Sequence, residues 1–261
     1  MQYKHATQKV DYSHISSGRV FYSLPGHPAF PVRLASEIFQ RCLEHRKAID
    51  GTSSPCVLYD PCCGAAYHLS VLAYLHGEHI REIIASDIDE KAVVLAQRNL
   101  RLLCTEGLDR RIEEIQNMIE KYGKESHQDA MQSALFLRER LSVLRQDQPL
   151  ESRVFQANAT DREQILNHIA SRSVDVVFTD VPYGWHSWWQ GAAPSAASNP
   201  LDSMLDALLP VLSEASVVAI VSDKGQRAGH ERYRRLEQFQ VGKRRVMILK
   251  PILPQPENNE E

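Results

Sequence analysis

Short apolar runs that end on an acid or a small turn alternate along this chain with longer stretches in which apolar residues recur every three or four positions. Cys56-Val57-Leu58-Tyr59-Asp60 is such a run, and after a turn the stretch 66–76 has helical character. The unit repeats, with 81–87 (REIIASD) as a second apolar run ending on Asp87 and 89–103 as a second helical stretch. Three further runs keep the rhythm at 152–157, 174–180 and 216–222, separated by helical patterns around 161–171 and 199–213. Strands buried on both faces read as continuous apolar runs, and their alternation with helices predicts βαβ units around a parallel sheet. A last apolar run, 246–250 (VMILK), adds one more strand.

Two regions stand outside this rhythm. Near the start, 18–23 (GRVFYS) predicts a short strand, and 24–31 (LPGHPAFP) carries three prolines and a glycine that forbid regular structure. Val32, Leu34, Ile38, Phe39 and Leu43 then follow at helical spacing, which predicts an amphipathic helix over 31–48 with Pro31 in its first turn. The charged stretch 105–150 shows helical periodicity twice, broken by Gly123, and predicts an inserted helical pair. The pair serves either as a solvated buttress or as a substrate-docking arm. The expected fold class is therefore α/β, a doubly wound and mostly parallel sheet. It forms one domain over 1–261, with an N-terminal extension 1–48 and a helical insertion 105–150.

Composition narrows the class. With 261 residues, 43% hydrophobic and 24% charged, collagenous and disordered chains are excluded and a full core is affordable. No run reaches the roughly 18 to 20 apolar residues that cross a bilayer, and the first residues lack the apolar segment of a secretory signal. A cytoplasmic protein without membrane contact is expected, and a monomer. The five cysteines are odd in number and lack CxxC spacing, so they read as reduced apolar residues. His76 and His79 have no ligand-type neighbours at metal spacing, and no metal is expected. The net charge is −3, yet nine basic residues between Lys224 and Lys250 face only Glu231 and Glu237. That segment is +7 and the remainder −10, which suggests either a solvated face or a local phosphate-binding surface.

The chemistry gathers at the ends of the runs. Asp60-Pro61-Cys62-Cys63-Gly64-Ala65-Ala66 would turn from a strand into a helix N-terminus, where backbone N–H groups can approach a ligand. It carries a single glycine, so a GxGxxG dinucleotide signature is absent. One strand further on, Asp87 is placed to accept both hydroxyls of a ribose or to cap the next helix, while Asp89 is the better cap. Thr179-Asp180-Val181-Pro182-Tyr183-Gly184 ends the fourth run. An acid, a proline-fixed carbonyl and an aromatic ring there can grip a planar nitrogen nucleophile. All three tryptophans, Trp185, Trp188 and Trp189, follow at once. They offer either stacking surface for an extruded base or simple packing against the sheet.

The ordered set DPCCG, ASDID and TDVPYG resembles the class I S-adenosylmethionine-dependent methyltransferases. With HPAFPVRLASEIFQR, DPCCGAAY, the inserted helices and the tryptophan-containing loop, the chain from about Tyr3 to Val246 resembles the avilamycin-resistance 23S ribosomal RNA methyltransferases. This resemblance implies S-adenosyl-L-methionine as cofactor and 23S ribosomal RNA as partner. It also implies methylation of a guanine, N1 favoured and N2 possible, with a link to orthosomycin resistance. By motif, Asp60, Pro61, Cys62, Gly64 and Ala66 would line the methionine part of the cofactor. Asp87 with Ile88 would take the ribose, and Asn158 with Ala159 the adenine. Asp180, Pro182 and Tyr183 would serve the nucleophile, and Trp189 matches the family's tryptophan. Two departures are Ala66, where the family tends to have glycine, and Asn158, where it has an acid. Methylation of another planar nitrogen, in DNA or a protein amide, and a catalytically silent cofactor- or RNA-binding module are the competing readings. From the charge pattern, Lys224, Arg227 and Arg33 are expected at RNA phosphates, Arg244 and Arg245 less so because neighbours on a strand face opposite ways.

Overall fold

The structure, a computed structural model, describes residues 3–16, 18–23, 29–144, 150–181, 199–225 and 229–253. Five parallel strands carry its centre: β1 (Cys56–Asp60), β2 (Ile80–Asp87), β3 (Glu151–Gln156), β4 (Val174–Asp180) and β5 (Leu212–Asp223). A hairpin of β6 (Tyr233–Val241) and β7 (Arg244–Pro251) joins antiparallel, giving the order β3-β2-β1-β4-β5-β7-β6. The helices are α1 (Val32–Asp50), α2 (Tyr67–His76), α3 (Glu90–Arg101), α4 (Thr105–Tyr122), α5 (Glu125–Leu144), α6 (Arg162–Leu166) and α7 (Pro200–Leu208).

Both faces of the sheet's centre are covered, which is why β1, β4 and β7 lack polar alternation. On the α1 side Leu58, Val176, Phe178, Val246 and Ile248 pack with Leu34, Ile38 and Leu69. On the other, Val57, Tyr59, Val177, Met247 and Leu249 pack with Met204 and Leu205 of α7. Neighbouring residues of one strand thus serve opposite cores, as the two-residue period requires. The inserted pair α4 and α5 forms as expected, with Gly123 at φ +59 closing α4 in the left-handed region.

Three differences from the sequence reading have local causes. Residues 18–23 form no strand. Instead Asn99 binds the backbone of Tyr22 from both sides, Oδ1 accepting its N–H at 2.8 Å and Nδ2 donating to its carbonyl at 2.9 Å. The Tyr22 ring lies between the guanidiniums of Arg98 and Arg111, 3.8 and 4.4 Å from its centroid, and its hydroxyl donates to Glu114. Side chains therefore replace a sheet neighbour. Strand β6 escaped the apolar pattern because it is an edge strand, polar along its open side and irregular between Arg235 and Glu237. Helix α6 covers only part of 161–171, and α7 passes through a 3-10 turn at Leu209–Val211 into a β5 longer than expected.

The N-terminal segment is held by one buried carboxylate. Glu37 accepts the backbone N–H groups of Lys4, His5 and Ala6 at 2.6, 2.9 and 2.8 Å, and the Nε of Arg41 at 2.8 Å. These donors hold its carboxyl below the ordinary glutamate value even though burial pushes the other way. Arg41 in turn pairs with Glu237 of β6, so one chain of ion pairs ties segment, helix and sheet edge. Removing a buried carboxylate with such partners costs roughly 3 to 5 kcal/mol. Glu37→Ala is expected to lose about that much in urea unfolding, and a loss below about 1 kcal/mol would show that the segment contributes little to the fold.

Candidate active site

The sheet order reverses between β1 and β4, and the crevice beyond the carboxyl ends of the strands at such a point is where open α/β sheets take their ligands. Asp60, Asp87 and Asp180 terminate β1, β2 and β4 there. The turn after β1 is fastened at each step. Cys62 N–H donates to Asp60 Oδ1 at 3.0 Å, Cys63 N–H to the Ser86 carbonyl at 2.9 Å, and Gly64 N–H to Asp87 Oδ2 at 2.8 Å. Gly64 has φ +53, and a Cβ built on it would meet nothing within 4 Å, so the space before it is open to a ligand. Ala66 takes the same φ of +53 without being glycine, a conformation that costs roughly 1 kcal/mol, and it is fully buried at the start of α2.

Asn99 holds that turn, a role the sequence reading missed. Its Nδ2, besides binding Tyr22, donates to the Ala65 carbonyl at 2.7 Å, and the side chain is wholly buried. An asparagine on the inner face of a strongly amphipathic helix was the available signal. Tyr67 of α2 adds a second tie, its hydroxyl donating to the Ile15 carbonyl at 2.8 Å.

The electrostatics centre on Asp60. Its Oδ2 is buried and makes no hydrogen bond; His68 Nε2 stands 3.3 Å away, out of line for one, and 3.4 Å from the Phe178 carbonyl. Burial raises the Asp60 carboxyl to about 7 and lowers His68, while Asp87 is also raised, again by burial first. An orphaned buried carboxylate oxygen beside an open turn fits a cationic, hydrogen-bond-donating ligand group. His68 is buried, lying against Phe178 and Phe30 in a layer of rings.

Asp87 does not cap α3. Its Oδ1 accepts Asp89 N–H at 3.0 Å, and Asp89 caps the helix by accepting Lys91 N–H at 2.9 Å. Ile88 follows Asp87, and its carbonyl accepts Gln156 Nε2 at 2.9 Å. Asn158 stands beyond β3, with Oδ1 accepting both the N–H and the hydroxyl of Thr160. Ala159 is buried beside it. Asp180 is half-buried on the face of Phe178, paired in register with Val221 of β5. Arg33 is far from free for RNA: it donates to the carbonyls of Ala6 and Thr7 at 2.9 and 3.0 Å and stacks over Tyr3. Lys224 is exposed just past β5. Pro182, Tyr183, Trp185, Trp188, Trp189 and Arg227 lie outside the described residues. Among the described residues no cluster of three potential metal ligands occurs, and no helix is long and apolar enough to cross a membrane.

A seven-stranded sheet of this order, with acids at the ends of β1, β2 and β4, defines a class I methyltransferase fold. TrmN from Thermus thermophilus shares the fold at a TM-score of 0.50 and 16% identity, over 86% of this chain and 50% of that one. The family profile described as rRNA methyltransferase AviRa matches residues 1–244, and the chain belongs to that family. It is 38% identical, over 95% of each chain, to the 23S rRNA (guanine(2535)-N(1))-methyltransferase of Streptomyces viridochromogenes. Solved structures of rRNA methyltransferase aviRa from the same organism superpose with a TM-score of 0.83 at 36% identity, covering 97% of both chains.

The orphaned carboxylate makes a stability prediction. Because the folded value of Asp60 is raised, the folded state favours its protonated form. Stability of the unliganded protein should fall as pH rises from the ordinary carboxylate range to about 7 and level off above it. At pH 8 the penalty is on the order of 4 kcal/mol. Asp60→Asn should remove most of that fall in denaturant unfolding followed against pH; an unchanged slope would show that Asp60 is solvated in solution.

Proposed function

We propose that this chain transfers a methyl group from S-adenosyl-L-methionine to a guanine of 23S ribosomal RNA, with ring N1 as the acceptor. The observation that carries this reading is the pairing of an orphaned buried carboxylate oxygen on Asp60 with a second acid, Asp87, across an open glycine turn, and a third, Asp180, at the neighbouring strand end. Family membership and the printed activity of the Streptomyces relative support the same chemistry.

The cofactor supplies a methyl group already activated on a sulfonium, so little acid–base chemistry is asked of the protein beyond alignment and one proton. Asp60 Oδ2 suits the ammonium of the methionine moiety. Asp87 keeps lone pairs on both oxygens after binding Gly64 and Asp89, and these can accept the ribose hydroxyls. Asn158, with Oδ1 given to Thr160, presents its NH₂ as a donor toward the adenine edge. Guanine N1 bears a proton near neutral pH, and Asp180 is the acceptor that removes it as the new N–C bond forms. The sequence motif that begins at Asp180 assigns Pro182 and Tyr183 to the carbonyl and ring that would hold the base, with Trp189 as a further stacking surface.

The direct test offers tritiated S-adenosylmethionine with deproteinised 23S ribosomal RNA, duplex DNA and bulk protein in parallel. Label is expected in the RNA, and label confined to DNA or protein would overturn the reading. Asp180→Ala should abolish transfer while cofactor affinity, measured by calorimetry, stays within about threefold. Equal loss of both would place Asp180 in the cofactor pocket instead. Asn99→Ala should weaken cofactor binding roughly tenfold through the released Ala65 carbonyl. If the effect runs through the turn, Ala66→Gly in the same chain recovers part of it; no recovery would assign Asn99 to general stability.

A further inference from the structure

The described basic residues between Lys224 and Lys250 do not form one surface. The hairpin separates them, because β7 starts at the carboxyl edge of the parallel strands and β6 starts at the opposite edge. Arg234 and Lys250 pair in register near the far edge, with Arg232 just beyond. Lys243 lies in the hairpin turn, Arg244 opposite Asp223 at the end of β5, and Lys224 follows Asp223. These last three stand at the edge that bears Asp180.

Arg244 differs from the other two. Val246 and Ile248 belong to the core on the α1 side, so alternation puts Arg244 on that side and Arg245 on the other. Phe178 is in the same core, and Asp180 shares its face. The Arg244 guanidinium lies 5.5 Å from the centroid of Phe30. The Phe30 ring is edge-on to Phe178, two residues before Asp180, at 5.7 Å. Arg244 is only partly exposed, its Nε is buried without a hydrogen bond, and it makes no ion pair among the described residues. The facing carboxylate, Asp223, accepts Gly225 N–H at 2.9 Å instead. Arg41, Arg46, Arg98 and Arg138, by contrast, have carboxylate partners.

A half-buried guanidinium, resting on a ring and short of partners beside the reactive edge, is completed by an anion with two oxygens in one plane. We propose that Arg244 binds a phosphodiester of the RNA next to the target guanine, with Phe30 as the floor under the guanidinium and the exposed Lys243 and Lys224 adding charge at flanking phosphates. This rests on the ribosomal RNA reading and adds to it the group that fixes the backbone while Asp180 meets the base.

The experiment measures binding of deproteinised 23S ribosomal RNA against salt concentration. It compares wild type, Arg244→Ala, Arg244→Lys and Arg234→Ala, with S-adenosylmethionine affinity measured for each. Arg244→Ala should lower the salt slope by about 0.7 to 0.9 of a unit and weaken RNA binding on the order of tenfold with cofactor affinity unchanged. Arg244→Lys should recover the slope but not the whole affinity, since an ammonium keeps the charge and loses the fork. Arg234→Ala, at the far edge, should change neither. An Arg244→Ala protein with wild-type slope and affinity overturns the proposal, as does an equal effect from Arg234→Ala, which would show only bulk charge. Should Arg244→Ala fold poorly, Arg244→Gln carries the same expectation. If the wild type itself fails to bind or methylate the RNA, the underlying function is what has failed.

Discussion

Burial makes two carboxylates at neighbouring strand ends, Asp60 and Asp87, costly to ionise, the Asp87 charge adds to that cost at Asp60, and the protein holds both by aiming backbone N–H groups at them. Cys62 serves Asp60, while Gly64 and Asp89 serve Asp87. The turn cannot shift without abandoning one of these bonds. Its conformation then fixes where α2 begins, which sets Tyr67 against Ile15 and His68 against Phe178. Preorganisation of this kind is what an alignment-limited reaction requires, since the gain comes from geometry settled before the reactants arrive.

The additions outside the sheet reinforce the same turn. Asn99 joins Ala65 to Tyr22, and Tyr22 reaches α4 through Glu114 and Arg111, so the N-terminal segment is a strap between the turn after β1 and the inserted helices. The insertion is a weak match to a polyanion. Within α4 and α5, eight acids outnumber five lysines and arginines. Arg138 is spent on Asp109 and Arg140 on the Tyr74 carbonyl. Of the two roles the sequence left open for this pair, a buttress accords better with these contacts than an RNA-docking arm.

What could be read from the sequence followed from how each signal arises. Strands buried on both faces leave continuous apolar runs, so β1, β2, β4 and β7 were legible, and the edge strand β3 through its short Val154-Phe155 run, with Asp60, Asp87 and Asp180 at the ends of β1, β2 and β4. The core of β5 was legible too, though its start was not. The insertion was legible because Gly123 breaks two helical periods. An edge strand such as β6 is selected to be polar, so hydropathy is silent there. The strand expected at 18–23 failed because apolar content says nothing about what satisfies the backbone, and here side chains of Asn99 and Arg111 do so. Charge along the chain was a partial guide: the +7 segment exists, but a hairpin splits it between two edges, and only topology says which cations meet the site. Arg33 illustrates the same limit, since its role depends on a carbonyl-rich segment folding back across 26 and 27 residues of sequence.

The site also keeps opposite charges from cancelling one another. Asp60 has a buried oxygen without a donor, and Arg244 a buried nitrogen without an acceptor. A direct pair between them would relieve both and leave neither for a ligand. An aromatic layer stands in the way: His68 lies between Asp60 and Phe30, and Phe30 lies under Arg244. The imidazole, with its charged form disfavoured by burial, adds little charge of its own to that layer. Asp60 is wholly buried, so water screens it little, whereas the partly exposed Arg244 meets solvent on its open side. The unliganded fold bears the cost of two incompletely satisfied ions. On the roles proposed for the two groups, that cost would be recovered when a cation meets Asp60 and a phosphodiester meets Arg244, which would hold cofactor and RNA at one edge together.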